Sequence, residues 1–221
     1  VFGGKIIAPD GTVWLAPDVT PMNLVTRVDI NFNTLTAAGN WVSTGVPATL
    51  PIMYFSRCLN ADVGVGVVAE NVNGQWRLSV RAARNNNGTN QNVTFRFYIF
   101  SNFVPDNQTT HGIKFFDATG RLTWTCDMIP LQMFKTSIDS STPRVDVGFL
   151  VATMPQFVKH STEFYSPGTP PVYIFFDWAF KAFGSVIEMS PVQDYTASSD
   201  VGTSFEFRDC FYINASIYDI G

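Results

Sequence analysis

Charge is scarce in this chain. Only 14% of its 221 residues are Asp, Glu, Lys or Arg, while 46% are hydrophobic, against a usual charged share of about a quarter. That balance excludes intrinsic disorder, which needs low hydrophobicity and high charge, and it leaves a largely neutral surface of the kind that packs against partners. Net charge is −4 and no Lys/Arg cluster occurs, so the basic face that a nucleic-acid binder turns toward phosphates is missing. Histidine is reduced to His111 and His160. Neither has another ligand at metal-binding spacing, acidic calcium loops are lacking, and no G-x-S-x-G elbow is present. No cofactor, metal or catalytic residue is therefore expected, and both histidines read as surface or capping residues. The three cysteines, Cys58, Cys126 and Cys210, are far apart and odd in number; one disulfide is open to them, but three buried free thiols of a reducing cytoplasm are the favoured reading. The most apolar stretch, Val172 to Phe183, contains Asp177 and Lys181 and is too short to cross a bilayer. The start, Val1-Phe2-Gly3-Gly4-Lys5, has no Met and does not resemble a signal peptide, so an N-terminus that is processed, trimmed or numbered from a later residue is expected. N-x-S/T sequons at Asn87, Asn92, Asn107 and Asn214 add only weakly to a secreted-glycoprotein reading, which the start of the chain and the unpaired cysteines disfavour.

What the chain does have is period-two alternation, the mark of strands. In Thr94–Phe100, residues Phe95, Phe97 and Ile99 share one face while Arg96 and Tyr98 share the other. In Gln75–Arg81, Trp76, Leu78 and Val80 point inward. Pro143–Val151 and Ser204–Arg208 alternate in the same way, and Asp177–Phe183 fits a short helix or a strand. Three polar or proline-rich segments read as surface loops and are the candidate contact loops. They run over 85–92, 161–171 and 194–204, and hold Asn85, Asn86, Asn87 and Gly88; Pro167, Gly168 and Pro170; and Asp200.

An offset of 109 positions superimposes Gly3–Pro21 on Gly112–Pro130. Gly3, Lys5, Gly11, Asp18 and Pro21 meet Gly112, Lys114, Gly120, Asp127 and Pro130, with apolar agreement between them. Each copy reads as a β-hairpin, turned at Pro9-Asp10-Gly11 or at Asp117-Ala118-Thr119-Gly120. The expected fold is all-β: two tandem, related β-sandwich-like domains at 1–105 and 106–221, each opening with a hairpin.

Chemistry is harder to find. Glycoside hydrolysis needs two facing carboxylates, for which Asp146, Asp177, Glu188, Asp194 and Asp209 are available, but the sequence does not pair them. Gly64-Val65-Gly66 lacks the third glycine and the helix of a phosphate loop. Trp14, Trp41, Trp76, Trp124 and Trp178 are candidates for sugar stacking, with core packing the favoured reading. A carbohydrate-binding module or small glycan-active enzyme is thus the alternative to a structural role.

The segment His111-Gly112-Ile113-Lys114-Phe115-Phe116-Asp117-Ala118-Thr119-Gly120-Arg121-Leu122-Thr123-Trp124 resembles a hairpin of tail proteins of long-tailed bacteriophages. There a glycine and an alternating apolar strand are followed by Asn/Asp-x-x-Gly and a second strand leading to Ser/Thr-Asp. Gly4–Trp14 looks like a variant of it. The two copies cover some 40 residues. Both depart from the usual form, with Pro9 in the first turn and Cys126 before Asp127 in the second. The resemblance implies a structural virion protein of the minor-tail or tail-tip type, assembled in the host bacterial cytoplasm. Its implied partners are other tail proteins, copies of itself and a host surface receptor, with no enzymatic activity.

Overall fold

A computed structural model describes residues 6–7, 9, 11, 13–15, 20–85, 89–104, 112–139, 141–166, 172–197 and 205–219. The first half contains β1 (Ile6–Ile7), β2 (Val13–Leu15), β3 (Asn23–Asn33), a 3-10 turn (Thr34–Thr36), β4 (Trp41–Pro47), β5 (Ile52–Cys58), β6 (Val63–Val72), β7 (Gln75–Asn85) and β8 (Asn92–Ser101). The second begins with β9 (Lys114–Phe116), β10 (Leu122–Thr125), β11 (Met133–Ser137), β12 (Arg144–Asp146) and β13 (Val151–Thr153). It continues with β14 (Phe157–Ser166), β15 (Val172–Phe183), β16 (Val186–Ala197), β17 (Phe205–Glu206), β18 (Asp209–Asn214) and the short helix α1 (Ala215–Tyr218). The fold is thus almost entirely β, in several antiparallel sheets, one of them partly curled into a half-barrel.

The largest sheet has six strands in the order β11-β18-β13-β5-β8-β3, three from each half, joined where Thr153 pairs with Ser56. Its strand β8 is covered on both faces. Phe95, Phe97 and Ile99 enter a core with Val42, Val46, Leu78 and Val80 of the three-stranded sheet β4-β7-β6. Tyr98 and Phe100 pack on the other side with Tyr218 of α1, whose ring lies 4.9 Å from that of Phe100. The alternation of Thr94–Phe100 therefore holds, but its second face is buried too, because α1 lies over it.

A five-stranded sheet, β12-β16-β15-β14-β17, completes the second half. Phe180, Ala182, Ile187 and Met189 pack there with Val151, Val158 and Cys210. The strand expected over Pro143–Val151 is divided between two sheets. The chain turns at Gly148 (φ 77°), whose N–H donates to Asp146 Oδ1 at 2.9 Å, so β12 and β13 are separate. Asp177–Phe183 lies within the long strand β15. Within the first half the strand orders are β5-β8-β3 and β4-β7-β6; within the second they are β13-β18-β11 and β12-β16-β15, with β14 and β17 added.

Strand β6 shows how the first half meets the five-stranded sheet. In Val63-Gly64-Val65-Gly66-Val67 the valines are buried in their own core, and alternation turns the glycines the other way. A Cβ on Gly66 would lie 2.5 Å from Phe157 Cζ, and one on Gly64 would lie 2.9 Å from Val192 Cγ1. These two glycines let the sheets approach closely, which accounts for a pattern that had no phosphate-binding context. Beside them the buried Lys181 ammonium sits 3.0 Å from Asp62 and 3.3 Å from Glu188.

Candidate functional site

Strands β14, β15 and β16 present a ring-lined face. Cross-strand register sets His160, Asp177 and Gln193 in one rung, Thr162, Phe175 and Tyr195 in the next but one, and Phe164 and Tyr173 two further along. Residues two apart on a strand share a face, so these three rungs lie on one side. Phe175 and Tyr195 stack with centroids 5.0 Å apart and planes 5° from parallel. His160 lies 5.5 Å from Phe175 and 6.3 Å from Tyr195, and Phe164 meets Tyr173 edge-on at 5.5 Å. At the inner end His160 Nδ1 is 2.7 Å from Asp177 Oδ1. When that nitrogen carries the proton and donates it to the carboxylate, Nε2 is left as an acceptor. Burial raises the Tyr195 phenol above its ordinary pKa, and the nearby Asp177 charge adds to the shift. The opposite face carries Trp178, whose indole N–H donates to Ser161 Oγ at 3.0 Å and whose ring lies 5.3 Å from the Lys159 ammonium.

Besides a cleft of about 430 Å³ along Lys159, Trp178 and Glu188 on that opposite face, two others are lined by described residues. One of about 350 Å³ runs between the 3-10 turn, β7 and β16, where Arg84 and Asp194 form a 2.7 Å ion pair across the halves. The other, about 340 Å³, is lined by Arg27, Asp29, Arg96 and Asp219, whose charges are largely spent on one another and on the backbone.

The hairpin residues are ordered by one carboxylate. Asp117 Oδ1 accepts from Thr119 Oγ1 (2.6 Å), Thr119 N and Arg121 N (both 2.9 Å), while Gly120 takes φ 82° to close the turn. Led by the Thr119 hydroxyl and the Arg121 N–H, these donors hold the Asp117 carboxyl at about 2. Gly11 has φ 86° in the first hairpin. The offset of 109 carries the pair Ile7–Val13 onto Phe116–Leu122 and Ile6–Leu15 onto Phe115–Trp124, so both hairpins pair in one register with the same irregularity. Pro130 bridges to Asn23, two residues past Pro21. Gly3, Lys5 and Asp18 lie outside the described residues, as do His111, Asn86, Asn87, Gly88, Pro167, Gly168, Pro170 and Asp200. Of the expected loops, Asn85 instead ends β7, 161–166 belongs to β14 and 194–197 to β16, because these segments pair with neighbouring strands.

The carboxylates considered for a hydrolytic pair each have a different partner. Asp177 meets His160, Glu188 meets Lys181, Asp194 meets Arg84 and Asp209 meets Lys135, while Asp146 serves the Gly148 turn. Of the cysteines, Cys58 and Cys210 are buried free thiols but Cys126 is exposed, a correction to the expectation of three buried ones. It lies just past β10, outside the cores. Among the described tryptophan side chains Trp41 is the exposed one, beneath Arg77, whereas Trp76 is half-buried and donates to Leu50 O. The His160–Asp177 pairing is not legible from either residue alone, because 17 positions separate them. Reading 157–183 as a hairpin folded about its proline-rich loop would have set them opposite each other.

Among the described residues, no group of three or more His, Cys, Asp or Glu could hold a metal ion, and no helix is long and apolar enough to cross a membrane. Compared with protein-family models, curated proteins and solved structures, the chain matches none.

Proposed function

We propose that the chain is a structural virion protein of the phage-tail type, built by duplication as two related sandwich-like domains. In this reading it is assembled in the bacterial cytoplasm with other tail proteins and copies of itself, and meets the host surface. The observation that carries the reading is the hairpin turned at Asp117 and Gly120, repeated in register at Ile6–Leu15. The parallel strand orders of the two halves support the duplication. Edge strand β11 suits assembly: Met133 and Phe134 are exposed on it, and Phe134 stacks on Tyr212 and meets Phe149 at a tilt. Edge strands with free backbone groups and apolar side chains are natural pairing surfaces. The test is to locate the chain in intact particles by antibody labelling and electron microscopy, and to weigh the purified chain by light scattering. Density at the tail and self-association are the expected results. Particles lacking the chain, together with a stable monomer in solution, would sink the proposal.

A further inference from the structure

We propose that the ring-lined face of β14, β15 and β16 binds a neutral pyranose unit of a glycan, with Tyr195 as its stacking platform. This rests on the reading that the chain meets a host surface, and it gives that contact a place and a chemistry. Tyr195 is 43% exposed although one of its faces lies on Phe175, itself only 3% exposed. The outer face of the ring is therefore open, while Phe175 and His160 hold its orientation from behind. A ring fixed in this way binds without losing rotamer freedom, and its electron-rich face attracts the slightly positive C–H hydrogens on one side of a sugar ring.

The polar edge completes the match. Asp177 is held through one oxygen by His160 at 2.7 Å, and its charge reaches the Tyr195 phenol. A carboxylate fixed by one oxygen accepts from sugar hydroxyls through its remaining lone pairs, and Gln193, across the strand from Asp177, brings an amide with both donors and acceptors. The charge selects within the class. Among the described residues no lysine or arginine pairs with Asp177, and Lys159 is taken by Glu206. A sialylated or phosphorylated unit would meet a carboxylate that no described lysine or arginine neutralises, so an anionic unit is excluded and a neutral one is the class proposed.

Saturation-transfer NMR on the full chain tests this, with methyl β-D-glucopyranoside, methyl β-D-galactopyranoside and methyl N-acetyl-β-D-glucosaminide as probes. At least one is expected to receive saturation on its ring protons. Tyr195→Ala and Tyr195→Leu should abolish the signal, the second keeping bulk without a π face. Asp177→Asn should raise Kd about tenfold, the loss of a charge-assisted hydrogen bond. Tyr165→Ala, which removes an exposed ring from outside the three rungs, should bind as the parent does. No transfer to any probe, or undiminished transfer to Tyr195→Leu, overturns the proposal. Particle labelling separates the two readings. A chain found in tails that binds no probe removes the sugar site alone, and a chain that binds sugar but is missing from particles removes the tail role alone.

Discussion

Arg57 of β5 and Asp219, the residue after α1, form a 2.7 Å hydrogen-bonded ion pair across 162 positions of chain. Arg96 and the Tyr98 hydroxyl donate to the other carboxylate oxygen at 3.1 and 2.9 Å, and Arg57 Nε donates to the Tyr98 oxygen at 2.9 Å. Arg96 also grips Asp29 with two bonds of 2.7 Å, and Arg27 donates to Tyr218 O at 2.8 Å. The end of the second half is thereby fastened to β3, β5 and β8 of the first.

Asp219→Asn is expected to lower stability by about 2–3 kcal/mol in urea unfolding, because it leaves the half-buried Arg57 without its counter-charge. Tyr98→Phe removes only hydrogen bonds of one hydroxyl and should cost about 1–2 kcal/mol. Equal effects from the two changes would show that charge has no special part in the clasp.

The clasp should also weaken in acid. Burial alone would raise the pKa of Asp219, but donation from Tyr98, Arg57 and Arg96 outweighs it and holds the carboxyl below its ordinary 3.8. Asp29 is lowered as well, chiefly by its hydrogen bonds from Arg96. A group whose folded pKa is depressed binds its proton more readily when unfolded, so its contribution is present above about pH 4 and is lost as pH falls through the folded value. Stability measured from pH 6 to pH 2 should fall, and fall less in Asp219→Asn.

Gly66→Ala should destabilise by about 1–3 kcal/mol, the usual cost of overpacking, since its Cβ would enter the Phe157 ring. Phe157→Leu in the same chain should recover part of that loss. A double-mutant cycle showing strict additivity would contradict the contact between β6 and β14.

One thiol should react with a disulfide reagent in the folded protein and three in denaturant, because Cys126 alone is exposed. Burial pushes the Cys58 and Cys210 thiols up in pKa, which slows any residual reaction further. Cys126→Ser should abolish the native-state labelling.

Several local features could be read from residue order, because their causes are local. Alternation through Phe95, Phe97 and Ile99 and through Leu78 and Val80 identifies strands and their inward faces, since side chains on a strand alternate whatever the fold. Asp117 and Gly120 determine a turn within four positions. The all-β class follows from many such segments. The sequence did not disclose that Thr153 would meet Ser56 and merge strands of both halves into one sheet, that α1 would bury the second face of β8, or that His160 and Asp177 would face each other beside Tyr195. Each of these contacts joins positions far apart in the chain. Their stabilisation comes from burial and charge pairing that exist only once the sheets have packed, so only the tertiary structure decides them.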